Sequence, residues 1–166
     1  MFKVASHKIF TAGLWLASLL LSSSIYAASL SDMAGNSHTL DEYVGNDRWL
    51  VVMIWASDCH VCNQEAHGYA LFHDKHKEKD ASVLGISMDG ADGKADAVAF
   101  IERHRVTFPN LIGGFEDIAE MFVELTGENW IGTPTFLFYN PAGELVAQQV
   151  GAVPVDMIEN FIKSNS

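Results

Sequence analysis

Cys59 and Cys62 are the only two cysteines of the 166-residue chain, and their spacing suggests a chemical role. Two cysteines three positions apart on a helix lie on one face, within reach of a disulfide bond. A bridge across only two intervening residues removes little chain entropy, so it stabilises a fold weakly. The pair is therefore better suited to exchanging electrons, as a dithiol and a disulfide, than to holding the chain together.

The segments around the cysteines predict a strand that leads into a helix. The apolar run over residues 50–55 is typical of a strand buried on both faces, as in a parallel sheet. A short polar turn over 56–58 follows, and a helical pattern begins at Cys59. Free N–H groups and the dipole at a helix start favour a thiolate. We expect a partly exposed, attacking Cys59 and a more buried, resolving Cys62.

The remainder of the chain continues as one α/β domain with no linker or repeat. Its apolar patterning predicts extended segments and helices that alternate. Strands are expected at 82–87, 108–112, 135–139 and 144–150, and helices at 91–105, 116–125 and 155–163. The turn residues N-P-A-G between the last two strands predict an antiparallel hairpin.

The first 27 residues read as a secretory signal peptide. Two lysines precede an apolar run over 9–21, and small residues lead to a cleavage position after Ala27 or Ala28. The mature domain would then be residues 28–166, exported to the periplasm or beyond. The alternative is an uncleaved membrane anchor, but the run is shorter than the ~20 residues that a bilayer span requires.

The formal net charge of −11 excludes some classes of partner. Such an acidic chain repels nucleic acid and anionic lipid headgroups, so neither is an expected surface partner.

Residues 55–65, W-A-S-D-C-H-V-C-N-Q-E, resemble the active-site segment of the thioredoxin superfamily. They are most similar to the exported TlpA/ResA/DsbE-like branch, with its W-A-x-x-C-x-x-C-x-x-E pattern. Residues 132–137, G-T-P-T-F-L, resemble the cis-proline segment of that family. The resemblance covers roughly residues 30–163. It implies a thioredoxin-like α/β fold, a central mixed sheet flanked by helices.

The resemblance also implies thiol–disulfide oxidoreductase chemistry without a cofactor or a metal. Cys59 would attack a substrate disulfide and Cys62 would resolve the mixed disulfide, reducing a protein substrate or, run backwards, oxidising it. The implied partners are protein thiols and disulfides and a membrane or periplasmic thiol electron donor, and the protein would be a monomer. Glu65 resembles an acidic residue that relays protons; its spacing equally fits an exposed acid that complements the helix dipole.

Four residues are implied in substrate binding. Pro134 resembles the cis proline beside the cysteines, and Thr133 would turn its backbone outward to pair with an extended substrate. Trp55 and Trp130 would contact the substrate, although a packed aromatic is an equally good interpretation of Trp130.

Three residues between and beside the cysteines would tune the redox pair. The family commonly has a proline where this chain has Val61, and an aromatic where it has Asp58. A protonated His60 should favour the Cys59 thiolate and Asp58 should oppose it. The buried aspartate of cytosolic thioredoxins is replaced by Met53.

The sequence favours two other function classes less. His67, His73 and His76 follow the cysteines and invite a copper or zinc site, but their spacing fits no metal motif and solvated histidines are the favoured interpretation. The alternative function is a thioredoxin-fold metallochaperone that binds copper through the cysteines. Copper-delivering proteins of this fold use C-x-x-x-C, which is one residue longer, so this function is disfavoured. A peroxiredoxin is disfavoured because its T-x-x-C motif is absent.

Overall fold

Strands and helices alternate along residues 30–166, the part of the chain that the computed structural model describes. The predicted signal peptide and its cleavage positions lie outside these residues. The elements in chain order are β1 Leu30–Asp32, β2 Ser37–His38, a 3₁₀ helix Leu40–Glu42, β3 Trp49–Trp55, α1 His60–His76, β4 Ala81–Ser87, α2 Lys94–His104, β5 Asn110–Ile112, α3 Phe115–Thr126, β6 Thr135–Tyr139, β7 Leu145–Val150 and α4 Val155–Asn165.

All seven of these strands form one mixed sheet, in the order β2-β1-β5-β4-β3-β6-β7. The three central strands β3, β4 and β5 run parallel, whereas β6 runs antiparallel to β3. Strands β6 and β7 form the predicted antiparallel hairpin. The mixed sheet flanked by helices confirms the predicted fold class.

Strand β3 is buried on both faces, as its unbroken apolar sequence predicts. Val51 and Met53 pack on one face with residues of α1, α2 and α4, whereas Val52 and Ile54 pack on the other face with residues of α3. Each such side chain stabilises the fold by about 1.5–3 kcal/mol when fully buried. The strand that leads to the cysteines is thus among the most firmly fixed parts of the sheet.

Several boundaries differ from the predicted ones. Helix α2 begins at Lys94, after a Gly93 N-cap, and not at residue 91. It ends where Arg105 takes a left-handed φ of 50°. Strands β1 and β2 and the 3₁₀ helix were not predicted at all; β1 reaches the sheet by antiparallel pairing with β5.

Within residues 30–166, no helix combines the length and the apolar character that crossing a membrane requires.

The end of β3, the end of β4 and the start of β6 meet at one edge of the sheet, because β3 and β4 are parallel and β6 is antiparallel to them. That edge holds the site described next.

Candidate active site

Cys59 and Cys62 form a disulfide bond at the start of α1, with their Cα atoms 5.2 Å apart. Cys59 is the N-cap residue, with an extended backbone (φ −69°, ψ 113°), and α1 begins at His60. Cys59 is half-buried, whereas Cys62 is 0 % exposed. The burial of the two residues matches the expected division into a partly exposed Cys59 and a more buried Cys62.

The Cys59 sulfur receives a hydrogen bond from the helix start. The backbone N–H of Cys62 donates to Cys59 Sγ over 3.1 Å. In the reduced protein the same N–H group would face a thiolate, and hydrogen bonds to charged acceptors are about twice as strong as neutral ones. The geometry is therefore suited to stabilising a nucleophilic sulfur at this position.

A carboxylate holds the loop that precedes the cysteines. Asp89, just beyond β4, accepts hydrogen bonds from the Ser57 backbone N–H (3.1 Å) and the Ser57 hydroxyl (2.9 Å). It also accepts one from the Ser87 hydroxyl at 2.6 Å. This contact was not predicted from the sequence, although polar residues that follow neighbouring parallel strands meet at one sheet edge. That placement was the available signal.

Asn63 holds the same loop from the helix side. Its side-chain Nδ2 donates to the carbonyl oxygens of Ser57 and Cys59, both over 2.9 Å. Its Oδ1 faces His104 Nε2 at 2.9 Å. Nothing in the cysteine motif marks this position, so sequence reasoning missed it too.

Trp55 lies in the core and not on the predicted substrate surface. Its ring is 0 % exposed, stacks on Phe100 with 4.2 Å between centroids, and donates from Nε1 to Asn110 Oδ1 at 3.1 Å. A side chain without exposed area cannot contact a substrate directly. The predicted contact is therefore wrong, and Trp55 supports the end of β3 by packing.

The Thr133–Pro134 peptide bond is cis. Ile54 pairs with Thr135 in the antiparallel register of β3 and β6, so Pro134 lies across from Trp55, at the cysteine edge of the sheet. Pro134 is buried and Thr133 is half-buried. The structure thus brings the two predicted residues to the same edge as the cysteines; their contact with substrate stays a prediction.

An apolar rim, defined as Phe115, Trp130 and Ile131, adjoins this segment. Trp130 and Ile131 precede the Thr133–Pro134 bond in the chain, and Phe115 packs on Trp130. Phe115 and Ile131 are 57 % and 76 % exposed. The half-buried Trp130 ring meets Phe115 edge-on at 5.5 Å. Its buried Nε1 has no hydrogen-bond partner among residues 30–166. Trp130 therefore both packs and borders open apolar surface.

The predicted tuning residues differ in exposure. Asp58 and His60 are exposed, and Val61 is half-buried. Glu65 is half-buried in α1, one turn beyond Cys62. The three tuning residues lie beside or between the cysteines and Glu65 follows them, and the influence of all four on the redox pair stays a prediction.

The three histidines of α1 that follow the cysteines, His67, His73 and His76, are engaged separately. His73 is 6 % exposed and its Nδ1 accepts the Val83 backbone N–H at 3.1 Å, so the interpretation of His73 as solvated is wrong. Burial is the main cause that lowers the pKa of His73 below its ordinary value. His76 lies between Asp80 (2.7 Å) and Glu159 (3.3 Å).

His67 is exposed and faces the His104 carbonyl oxygen at 3.2 Å. In the described part of the chain, no three or more His, Cys, Asp or Glu side chains are grouped to hold a metal ion.

Comparison with known proteins adds a family assignment. Residues 23–148 match the model of the AhpC/TSA family, which is more than half of the chain. Among curated proteins, the chain is 25 % identical over 114 residues to the thiol-disulfide oxidoreductase ResA of Oceanobacillus iheyensis. This alignment covers 68 % of the present chain and 55 % of the relative, so the chain spans about half of the relative's length.

Solved structures share the fold at low sequence identity. A putative thiol:disulfide interchange protein DsbE from Chlorobium tepidum superposes with a TM-score of 0.66 and 22 % identity, covering 83 % of this chain and 94 % of that one. A secreted Mycobacterium tuberculosis disulfide oxidoreductase gives a TM-score of 0.63 at 17 % identity, with coverages of 82 % and 94 %. These similarities confirm the thioredoxin-like fold.

Proposed function

Because the chain belongs to the AhpC/TSA family of the thioredoxin superfamily, we propose that it is a thiol–disulfide oxidoreductase that reduces protein disulfides through Cys59 and Cys62. The observation that carries the proposal is the asymmetric pair at the start of α1. Cys59 is half-buried and its sulfur accepts a backbone N–H, whereas Cys62 is fully buried one turn on. The naming of the curated relative and of the structural neighbours agrees with this chemistry.

The reaction proceeds through two exchange steps. The Cys59 thiolate attacks one sulfur of the substrate disulfide, the substrate S–S bond breaks, and the departing sulfur leaves as a thiolate that takes up a proton. Cys62 then loses its proton and attacks Cys59 Sγ, which releases the second substrate thiol. The substrate gains two electrons and two protons, and the protein is left with the Cys59–Cys62 disulfide.

Repeated turnover requires a thiol electron donor. Each reduction leaves the protein oxidised, so a second dithiol, in the membrane or in the periplasm, must reduce the Cys59–Cys62 bond again. Run in the opposite direction, the same atoms oxidise a substrate dithiol. The equilibrium with glutathione decides the direction: a dithiol that stays reduced in excess oxidised glutathione would assign the oxidising role instead.

The substrate is proposed to bind along the edge of the site formed by Thr133 and Pro134, with the apolar rim beside it. The exposed area of Phe115 and Ile131 suits apolar side chains of an extended polypeptide. Trp130 borders this surface. Glu65 is proposed to pass protons to and from Cys62, because it follows that residue by one helical turn.

The protein is proposed to act after export. The support is the signal-like N-terminal sequence and the likeness to a secreted oxidoreductase. Export is tested by expressing the full chain with a C-terminal tag and sequencing the N-terminus of the product from each compartment. A product that begins at residue 28 or 29 outside the cytoplasm is expected; an intact N-terminus held in the membrane would favour the anchor instead.

The redox function is tested on the purified mature protein. Alkylation should add no adduct per chain after mild oxidation and two adducts per chain after reduction. The reduced protein should also reduce the disulfides of insulin. The reduced protein is then dialysed and its metal content measured. Two permanently free thiols, or one tightly held copper ion per chain with no reductase activity, would overturn the proposal, and the second result would favour the metallochaperone.

A further inference from the structure

Asn63 joins three parts of the molecule that meet beside the cysteines. Its Nδ2 donates to two carbonyl oxygens of the loop, those of Ser57 and Cys59, at 2.9 Å each. Its Oδ1 accepts from the C-terminal end of α2, from His104 Nε2 at 2.9 Å and from Arg103 Nη1 at 3.3 Å. No other orientation of the amide satisfies these contacts, since carbonyl oxygens only accept and a guanidinium only donates.

The contacts also fix the hydrogen on His104. Because Asn63 Oδ1 is an acceptor, the His104 Nε2 that faces it must carry a hydrogen whether the ring is neutral or charged. The ring is held in place by Phe100, whose centroid is 4.6 Å away, and Phe100 in turn stacks on Trp55 at 4.2 Å. The donor is therefore anchored through aromatic packing to the end of β3.

The amide contact at Cys59 acts on the residue that carries the reactive sulfur. The Cys59 carbonyl accepts both the Asn63 backbone N–H, at 3.0 Å, and the Asn63 side chain. Together they hold Cys59 in the N-cap conformation, which directs Sγ at the Cys62 N–H. While the disulfide is closed, the covalent bond enforces this geometry as well. Once it opens, only the hydrogen bonds remain to enforce it.

We propose that Asn63, oriented by His104 and Arg103, is a positioning residue that stabilises the reduced form of the cysteine pair more than the oxidised form. The proposal rests on the proposed function and deepens it, since it names what holds the nucleophile ready after reduction. Asn63 touches no reacting atom; it acts through the backbone of Cys59 and through the hydrogen bond that Cys59 Sγ receives.

The main test compares Asn63→Ala with Gln64→Ala, a matched amide on the next, exposed position of the same helix. Wild type and variants are equilibrated with reduced and oxidised glutathione, and the dithiol fraction is measured by alkylation and mass spectrometry. Asn63→Ala should shift the equilibrium constant toward the disulfide about fivefold to tenfold, the effect of one lost hydrogen bond. A tenfold shift corresponds to about 30 mV for this two-electron couple. Gln64→Ala should match the wild type.

Melting temperatures of both redox forms separate positioning from simple structural support. By the thermodynamic cycle, Asn63→Ala should lower the melting temperature of the reduced form more than that of the oxidised form. The rate of Cys59 alkylation at neutral pH should fall as well, because the thiolate is less populated. Equal destabilisation of both forms with an unchanged glutathione equilibrium would overturn the proposal.

A second pair of variants covers the case in which Asn63→Ala does not fold. His104→Ala removes a donor to Asn63 but leaves the amide, and should shift the equilibrium in the same direction by about twofold to threefold. His104→Gln retains an N–H donor and should restore most of the difference. If His104→Ala and His104→Gln both match the wild type, the role assigned to His104 is wrong. A wild type that does not react with glutathione at all would instead overturn the proposed function, so the two failures are distinct.

Discussion

Helix α1 carries cysteines at its first turn and histidines near its last, and the fold uses the two ends in opposite ways. At the first turn, the polar groups of Asn63 and Asp89 bind the adjoining backbone, and Cys59 is left half-buried. At the last turn, the polar side chains are themselves occupied: His73 by the Val83 N–H, and His76 by two carboxylates.

This difference explains why we expect only one end of α1 to be reactive, although the helix has cysteines at one end and histidines at the other. The partial positive charge at a helix start favours a thiolate, whereas the partial negative charge at its end favours cationic partners such as Lys75. A side chain that is already bound to the backbone or to a carboxylate is a poor ligand for anything else. We therefore expect chemistry at the first turn and only stability effects at the last.

The largest expected effect is on the cysteines themselves. Cys62→Ser should trap substrates on Cys59 as mixed disulfides, because the resolving thiol is lost, and turnover should fall about a hundredfold or more. Cys59→Ser should trap few or none, because Cys62 is 0 % exposed. Non-reducing gels and mass spectrometry of the adducts measure both. Trapping by Cys59→Ser and not by Cys62→Ser would reverse the assignment.

The next effect in size lies at the other end of the helix. His73→Leu leaves the buried Val83 N–H without an acceptor and should lower the free energy of unfolding by about 1–3 kcal/mol, with the glutathione equilibrium unchanged. His73→Gln keeps an acceptor and should lose less. Chemical denaturation measures both, with His67→Gln, an exposed site on the same helix, as the control. A redox shift in His73→Leu would contradict the separation of the two ends.

The pH dependence of stability sharpens the same variants. The pKa of His73 is lowered in the folded protein, so the unfolded chain takes up the proton first as the pH falls. Its contribution to stability is complete above the unfolded pKa of about 6.5 and declines as the pH falls below that value. The wild type should therefore lose more stability between pH 7 and pH 5 than His73→Gln does. Identical pH profiles would mean that His73 does not carry this dependence.

A smaller effect is expected from the exposed charges beside Cys59. Asp58→Asn should raise the rate of Cys59 alkylation at neutral pH, and His60→Gln should lower that rate near pH 6. Each change should be about threefold, because solvent and salt screen the interactions of exposed charges. High salt should reduce both differences. Changes of the same sign in the two variants would show that local charge does not control the thiolate.

The smallest effect is expected for Glu159, which contacts Lys75 at 2.7 Å and His76 at 3.3 Å near the last turn. The hydrogen bond from Lys75 is the main cause that lowers the pKa of Glu159. The contribution of Glu159 to the free energy of unfolding is therefore present above the pKa of this carboxyl in the unfolded chain, and it is lost as the pH falls through its pKa in the folded protein. Because the pair is largely solvated, Glu159→Gln should cost less than about 0.5 kcal/mol. Chemical denaturation at low and high salt checks this; a loss that persists in high salt would contradict it.

The sequence predicted the elements whose signals are local. Strand β3, the start of α1 and the hairpin of β6 and β7 follow from apolar runs and turn residues, and each lies within a residue or two of its predicted bounds. Strands β1 and β2 have only three and two residues. Strand β1 joins the sheet by pairing with β5, far along the chain, and β2 joins it only by pairing with β1, so no local pattern reveals that either belongs to the sheet.

The site was predictable in part for the same reason. The cysteine spacing and the T-P before a strand are local signals, and they predicted Cys59, Cys62 and Pro134 as site residues, which the structure places at one edge of the sheet. The exposure of Trp55 depends on a helix, α2, whose Phe100 covers its ring, and the role of Asn63 depends on His104 at the end of that helix. Contacts made by a distant element change what a side chain can do without any mark in the neighbouring sequence.

Asn63 binds carbonyl oxygens, a group that every amino acid supplies, and this has a consequence for evolution and for engineering. Positions 58, 60 and 61 can change their side chains without removing a partner of the amide, because only the main chain of Ser57 and Cys59 is held. A library randomised at these three positions should therefore contain many variants that keep the loop geometry while covering a range of reactivities. Selection acting on such a loop can retune the protein for a new exchange partner in single steps, with the scaffold left intact.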